Sequence, residues 1–534
     1  MRRLQYLATP NRLCLLAAAW IVLTCNGAFW AMFHRVQGAD WPFAVSLALA
    51  LTGLHLLLLR LMTPGRALRP MLTLLLLIAA AAGWFMDAYG VVIDSGMLRN
   101  VIETNPAEAR EYLGWPLAWR LLWAAGLPIA FIWWLPLPLQ DWWRAVRDWL
   151  LGSLAGLLLV FAAALPLYSS YASYFRNQDE ARYLVTPANV VVGSTRLLRK
   201  ELKVVAPFSP VGLDAHRIAK PATRPLLVVV VVGETARAAN FSLGGYARDT
   251  NPLLAKRDVF YFRDVTSCGT ATAMSLPCMF SDLPHKEFDL AKADRRDSVL
   301  DILQRAGLAV RWIDNQSGCK KTCERVPHET AEHYQPAACA DGECRDDTLL
   351  AAMDARLPQV QRDSLLLLHA MGSHGPAYYR RVPEEGVVFK PTCATQRIET
   401  CSDEQIVNAY DNTIRYTDQV LAGLIDRLAA DSARVDSVLL YLSDHGESLG
   451  EEGLYLHGHP WVLAPDVQKK VPMLLWFSSG APRHLGLDTA CLRARLDAPA
   501  SHDHLAHTLL GMADVATAVY RPQLDLLRAC RDAR

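Results

Sequence analysis

The chain has 534 residues, 52% of them hydrophobic, and is too long for one ordinary domain. Its 54 Lys and Arg nearly cancel 53 Asp and Glu, for a formal net charge of +1, so it lacks the basic footprint of a nucleic-acid-binding protein. The apolar excess is concentrated in the first third, which excludes a simple soluble enzyme.

Five apolar segments there, at about 13–33, 43–62, 71–86, 117–139 and 149–167, are long enough to cross a hydrocarbon core of roughly 30 Å. The first is too long for a signal peptide, lacks a small-residue cleavage site and is followed by further spans, so it is expected to stay as an anchor. Arg2, Arg3 and Arg12 precede it, Arg60, Arg66 and Arg69 lie between the second and third spans, and Arg144 and Arg147 between the fourth and fifth. These loops share one side, which the arginine bias assigns to the cytoplasm. Five crossings then place everything after Leu167 outside it. The loop 88–116, carrying Asn100, Glu103, Glu108 and Glu111, falls on the same outer side, either as a solvated loop or as a flap near the catalytic face. Residues 168–221 read as an interfacial connector and a Pro-rich linker.

From Arg224 onward, strands and helices alternate. Expected strands cover 226–232, 308–313, 365–369, 437–442 and 471–477, and expected helices 298–306 and 403–430. This alternation implies a doubly wound α/β domain. The expected division is residues 1–170 as a five-span membrane domain, 171–221 as connector and linker, and 222–534 as an exported catalytic domain.

Ten of the twelve cysteines fall in the carboxy-terminal part. Four close pairs read as disulfides of an exported domain: Cys268 with Cys278, Cys319 with Cys323, Cys339 with Cys344, and Cys393 with Cys401. Cys491 with Cys530 would be a fifth. A structural zinc site on Cys319, Cys323, Cys339 and Cys344 is the alternative, disfavoured by an oxidising compartment.

Two acidic segments follow apolar strands: Gly233-Glu234-Thr235-Ala236-Arg237 and Ser443-Asp444-His445-Gly446-Glu447. Each would present its carboxylate at a strand's carboxyl end, where open α/β sheets collect ligands. Glu234, Asp444 and His445 with a threonine oxygen make a mixed O and N donor set that suits zinc. The threonine would come from the loop between Cys268 and Cys278, which holds Thr270, Thr272 and Ser275; a hydroxyl there is a weak nucleophile until a base or metal activates it. His374, in a strand-to-loop corner, and His457, in Tyr-Leu-His-Gly-His-Pro, are candidates to protonate a leaving alkoxide, hold a second metal or bind phosphate. Lys320 is either a phosphate-binding point charge or a solvated loop lysine.

These blocks, with Ser242-Leu243-Gly244-Gly245-Tyr246, Thr250-Asn251-Pro252, the loop from Cys268 to Phe280, and Met371-Gly372-Ser373-His374-Gly375-Pro376, resemble the lipid A phosphoethanolamine transferases, including the mobile colistin-resistance enzymes. The resemblance covers nearly the whole chain. It implies an inner-membrane enzyme with a periplasmic domain of the alkaline-phosphatase/sulfatase superfamily. It also implies zinc held by Glu234, Thr272, Asp444 and His445, and singles out Thr272 as nucleophile. By the same resemblance Lys320, His374 and His457 contact the phosphoethanolamine group or further metal, and Asn100 and Glu108 contact the lipid substrate. The donor is then phosphatidylethanolamine and the acceptor a phosphate of lipid A, with Kdo or heptose of the lipopolysaccharide core as alternatives. A glycerol-phosphate transferase shares the layout, but the cysteine bracket around Thr272 argues against it. A sulfatase needs Cys-x-Pro-x-Arg, which Cys268-Gly-Thr-Ala-Thr does not supply. A transporter or receptor should carry paired charges within its spans, and Arg120 is the main candidate.

Overall fold

The computed structural model describes residues 9–104, 106–137, 141–203, 207–218, 223–340 and 343–531. Its contacts divide the chain into a helical unit, Met1–Arg99 with Leu113–Arg199, and a second unit, Asn100–Tyr112 with Lys200–Arg534.

Among the described residues of the helical unit four helices are long and apolar enough to cross a membrane: Trp41–Met62, Gly65–Tyr89, Trp115–Trp134 and Trp142–Arg176. The expected first span, 13–33, is not one straight helix. It is a pair, Pro10–Thr24 and Gly27–Gln37, bent by 59°, and makes a fifth crossing only if the pair is counted as one broken span. The break is built from polar groups that meet the freed backbone. Asn26 Nδ2 donates to Ile21 O at 2.9 Å, and its Oδ1 accepts from Thr186 N at 2.8 Å. Arg120 donates to Thr24 O, the last residue of the first half, and pairs with Asp87 at 2.9 Å; Asp87 in turn accepts from Ala28 N at the start of the second half. Apolar surroundings offer such groups no water, so internal partners must replace it. The charge that sequence flagged at Arg120 therefore serves the bend. Helices Trp41–Met62 and Trp142–Ala164 approach backbone to backbone at Gly53 and Gly156, where a Cβ on either would lie 2.8 Å from the other's carbonyl oxygen. The expected loop 88–116 holds helices Ser95–Glu103 and Pro106–Tyr112, and the expected connector and linker, 168–221, holds Tyr168–Asn177 and Ala188–Lys203.

The second unit is organised by a seven-stranded sheet of β1 (Leu226–Gly233), β2 (Phe260–Phe262), β3 (Ala309–Asp314), β4 (His328–Thr330), β5 (Ser364–His369), β6 (Asp436–Ser443) and β7 (Met473–Phe477). Their order across the sheet is β2-β7-β6-β1-β5-β3-β4. The five from β6 to β4 are parallel, while β7 pairs antiparallel with both β6 and the edge strand β2, giving a mixed sheet. β1 and β6 are buried at every position, as their Val/Leu-rich centres require in a sheet covered on both faces. The helix Asp403–Ala430 has the expected bounds and opens with a capping box at Ser402 and Gln405. β2 and β4, three residues each, were too short to stand out from sequence.

All five expected cysteine pairs are disulfides. Cys268 is bonded to Cys278, Cys319 to Cys323, Cys339 to Cys344, Cys393 to Cys401, and Cys491 to Cys530. The bond between Cys393 and Cys401 closes the loop that leads into the capping box of helix Asp403–Ala430, where Cys393 N also donates to Gln405 O at 3.1 Å. Cys14 and Cys25 are free and buried in the helical unit. The four cysteines of the alternative zinc site are taken up by two of these bonds.

Candidate active site

Register decides the site. In the β1–β6 pair Gly233 faces Ser443, so Glu234 and Asp444 leave adjacent parallel strands side by side at their carboxyl ends. Asp444 is fixed by two backbone donors to Oδ1, His445 N at 2.7 Å and Thr235 N at 3.1 Å, which leaves its buried Oδ2 without a hydrogen-bond partner. His445 points Nδ1 at Gly446 O, 2.9 Å away, so Nε2 faces inward, 3.2 Å from Glu234 Oε1 and 3.4 Å from Asp444 Oδ2. Thr235, held at φ 60°, donates to Glu234 Oε1 at 2.7 Å.

The loop between Cys268 and Cys278 meets this cluster at one residue. Thr272 opens the helix Thr272–Met279, and its Oγ1 lies 3.1 Å from both Glu234 carboxylate oxygens and 3.3 Å from His445 Nε2. The other two candidates are engaged elsewhere. Thr270 Oγ1 donates to His459 O at 2.6 Å, and Ser275 Oγ to the Asp444 carbonyl at 2.5 Å. Sequence spacing could not separate the three; the backbone turned by the Cys268–Cys278 disulfide does.

All four groups are buried, and their charges act strongly on one another. Burial and repulsion from Glu234 push the Asp444 carboxyl up to about 6, while burial of Glu234 is outweighed by His445, which holds that carboxylate well below its usual range. Burial should make the His445 imidazole shed its proton, yet Asp444 and Glu234 pull it up to about 10. That pull is a measure of the positive charge the pocket demands. The ligand atoms of Glu234, Asp444 and His445 lie within 4.8 Å of one another. A tetrahedral ion with bonds of 2.0–2.1 Å spaces its ligands about 3.3 Å apart, close to the separations above. The orphaned Asp444 Oδ2 and the inward Nε2 tautomer complete a donor set that fits such an ion.

Around this centre the structure brings together most of the remaining sequence candidates. The His457 ring lies tilted against that of His445, with centroids 4.3 Å apart, and the His374 ring meets His457 edge-on at 5.8 Å. A small open cleft over Thr272 is lined by Asn100, Lys320, His374 and His457. Lys320 is bent over Ser317 Oγ at 2.9 Å and reaches Glu103 O at 3.5 Å. Glu108 lies in helix Pro106–Tyr112, and its side chain is outside the described residues. Sequence reasoning passed over three neighbours. Gln316 donates to Glu234 Oε2 at 2.9 Å, Thr104 lines the cleft, and Glu447 is fully buried with His457 Nδ1 3.4 Å from its carboxylate. Burial drives Glu447 up to about 8 against the pull of His445 and His374. Glu447 stood in the Asp-His-Gly-Glu block, so its signal was present without a role attached, and Gln316 lies just past the end of β3. A larger cavity, edged by Leu227, Ala309, Arg356 and Ser364, sits at the opposite, amino-terminal ends of the strands and holds none of this chemistry. Concavity alone points to the wrong end of the sheet.

Residues 227–515 match the Sulfatase family model, and residues 51–202 match the model described as phosphoethanolamine transferase EptA/EptB. Phosphoethanolamine transferase EptA of Salmonella typhimurium is 42% identical over 461 residues, 85% of this chain and 84% of that protein. The chain belongs to the phosphoethanolamine transferase family. Phosphatidylethanolamine transferase Mcr-1 of Escherichia coli is 36% identical over 536 residues, 97% of this chain and 98% of that one. Among solved structures, the integral membrane protein lipooligosaccharide phosphoethanolamine transferase A of Neisseria meningitidis superposes with a TM-score of 0.94 at 34% identity, covering 98% of this chain and 99% of its own. This transferase thus shares with that protein both the helical unit and the alkaline-phosphatase-like unit.

Proposed function

We propose that this transferase moves phosphoethanolamine from phosphatidylethanolamine to a phosphate of lipid A through a covalent intermediate on Thr272, with zinc at Glu234, Thr272, Asp444 and His445. The observation that carries the reading is the convergence of one hydroxyl, Thr272 Oγ1, on the buried Glu234 carboxylate and His445 imidazole. Bound there, zinc would lower the pKa of the threonine hydroxyl and balance charge on the phosphoryl group.

The chain's own residues account for the other parts of the chemistry. Thr272 Oγ1 forms the new bond to phosphorus as the bond to the diacylglycerol oxygen breaks, and its proton passes toward the Glu234 carboxylate to which it already donates. His374 and His457, lining the cleft, are placed to supply the proton that the departing alkoxide takes up. Lys320 offers a positive charge to the phosphate oxygens, and the amino-terminal N–H groups of helix Thr272–Met279 offer further donors. In the second half-reaction an acceptor phosphate oxygen attacks the phosphothreonine, and Thr272 Oγ1 leaves and recovers its proton. The Asn100 end of the cleft, with Glu108 on the following helix, is assigned to the lipid substrate.

The same reading makes the enzyme a five-span inner-membrane protein with a cytoplasmic amino terminus and a periplasmic catalytic unit. The arginine distribution of its loops supports that orientation, and five disulfides suit an oxidising compartment.

The test is mass spectrometry of the full chain in detergent after brief exposure to phosphatidylethanolamine. A phosphoethanolamine adduct on the Thr272 peptide, absent in Thr272→Ala, is expected. An adduct on Thr270 or Ser275 overturns the nucleophile, and phosphoethanolamine on core sugars but not on lipid A phosphate overturns the acceptor.

A further inference from the structure

Beyond the residues that face Thr272, one buried cation holds a wall of the cleft from behind. The segment Asn100–Tyr112 folds with the catalytic unit although it is separated in sequence from the rest of it. Asn100, Glu103 and Thr104 from this strap line the cleft together with Lys320 and His374. Its near end meets Lys320 through the Glu103 carbonyl. Its far end carries Glu111, which is only 3% exposed.

Glu111 is met by Arg381, 270 residues away in sequence and itself 4% exposed. Arg381 uses its whole fork. Nη2 donates to Glu111 Oε1 at 3.0 Å, Nη1 to Glu343 Oε2 at 2.5 Å, and Nε to the His374 carbonyl at 2.9 Å. Glu343 belongs to the small hairpin closed by Cys339–Cys344. One guanidinium therefore ties the strap, a disulfide-locked hairpin and the corner that carries His374. Lysine cannot reproduce that planar, three-way geometry. A buried carboxylate left without its cation is strongly unfavourable, so the strap's far end is seated only while the clasp holds. Burial pushes the Glu111 carboxyl up and Arg381 draws it back, consistent with a pair that depends on each partner.

We propose that Arg381 is a positioning residue that, through Glu111, clasps the strap as the outer wall of the donor headgroup cleft and sets His374 against it. It touches none of the reacting atoms, so it acts only through what it positions, chiefly the wall against which the donor binds. The inference rests on the donor reading given above.

The experiment uses the full chain in mixed micelles with phosphatidylethanolamine as donor, measuring initial rate against donor mole fraction and the burst of Thr272 adduct. Glu111→Gln and Arg381→Gln are each expected to raise the donor KM about tenfold or more, the scale of a wall displaced by a fraction of an ångström to 1 Å. The adduct burst should stay near stoichiometric at saturating donor, and Arg381→Lys should recover part of the loss. Hydrogen exchange in the same variants should accelerate in Ser95–Glu103 and Pro106–Tyr112 and leave Leu226–Gly233 and Asp436–Ser443 protected. Where a single variant folds poorly, Glu111→Gln/Glu343→Gln/Arg381→Gln removes all three charges of the clasp together, and its KM decides. A reduced burst at unchanged KM would mean a merely structural contact and overturn the proposal, as would unchanged exchange in the strap. If the wild type forms no adduct, the donor reading fails instead, and the exchange measurement still decides the clasp.

Discussion

Gly372 offers a test of how tightly the strand end that carries Glu234 is held. It lies in the loop after β5 at φ +55°, a region that costs an alanine about 1–2 kcal/mol. A Cβ there would meet Glu234 O at 2.6 Å and Glu234 N at 2.9 Å, both backbone atoms that no rotamer change can move aside. Two hydrogen bonds keep the loop from retreating: Gly372 N to Asp346 Oδ2 at 2.8 Å and Ser373 N to Glu234 O at 3.0 Å. Overpacking of this kind costs about 1–3 kcal/mol, so Gly372→Ala should lose roughly 2–5 kcal/mol in total. Against a domain stability of about 5–15 kcal/mol, the protein should still fold. Activity should suffer more, because the strain falls on Glu234; a displacement near 1 Å is worth about a hundredfold in rate. Thermal unfolding, zinc content per folded chain and initial rate on a phosphatidylethanolamine analogue measure the three quantities. A variant as active and as metal-loaded as the wild type would show that the Glu234 backbone yields freely, and the argument from close approach would be wrong.

Glu234→Ala, Asp444→Ala and His445→Ala should each lose zinc and nearly all turnover while remaining folded, since each leaves a four-donor site incomplete; full activity after exhaustive chelation, with metal content verified as nil, refutes the site. His502 is fully buried, accepting from Cys268 N on Nδ1 at 3.0 Å and donating from Nε2 to Ser443 O at 2.9 Å, and burial pulls it down to about 3. Its unfolded pKa is near 6.5, so the unfolded chain binds the proton first and stability falls as pH drops from about 6.5 toward 3, by about 1.4 kcal/mol per pH unit. His502→Gln should flatten that slope in thermal melts by about one proton, and an unchanged slope refutes the assignment. Removing Cys491–Cys530, separated by 39 residues, should cost up to about 4 kcal/mol, against about 3 for Cys268–Cys278 at separation 10. The shorter bond should nonetheless cost more activity, because it shapes the Thr272 turn; equal activity losses would contradict this. Expression in a polymyxin-susceptible Gram-negative host should raise tolerance, because an added ammonium weakens the electrostatic attraction of cationic peptides, and the Thr272→Ala form should not.

Unbroken apolar runs determined the central strands, because a strand buried on both faces has no other composition open to it. The same logic gave the long helix Asp403–Ala430 and the apolar helices of the amino-terminal unit. Close cysteine spacing in an exported segment was enough to pair Cys393 with Cys401 and the other three neighbouring couples, since a short loop leaves each thiol little choice of partner. Acidic residues directly after two apolar runs were enough to name Glu234, Asp444 and His445, since the sequence states which residues end a strand. Sequence could not say that Gly233 and Ser443 are neighbours in register, and that pairing is what makes two distant carboxylates one site. Nor could spacing alone separate Thr272 from Thr270 and Ser275, a choice that only the resemblance made, because hydroxyls a few residues apart differ only in where a folded turn aims them. The break at Asn26 was hidden inside an apolar run for a related reason: its partners Thr186, Arg120 and Asp87 come from other helices. Long-range polar partners leave no periodicity in the chain, so the strap's attachment through Glu111 and Arg381 became visible only in the tertiary structure.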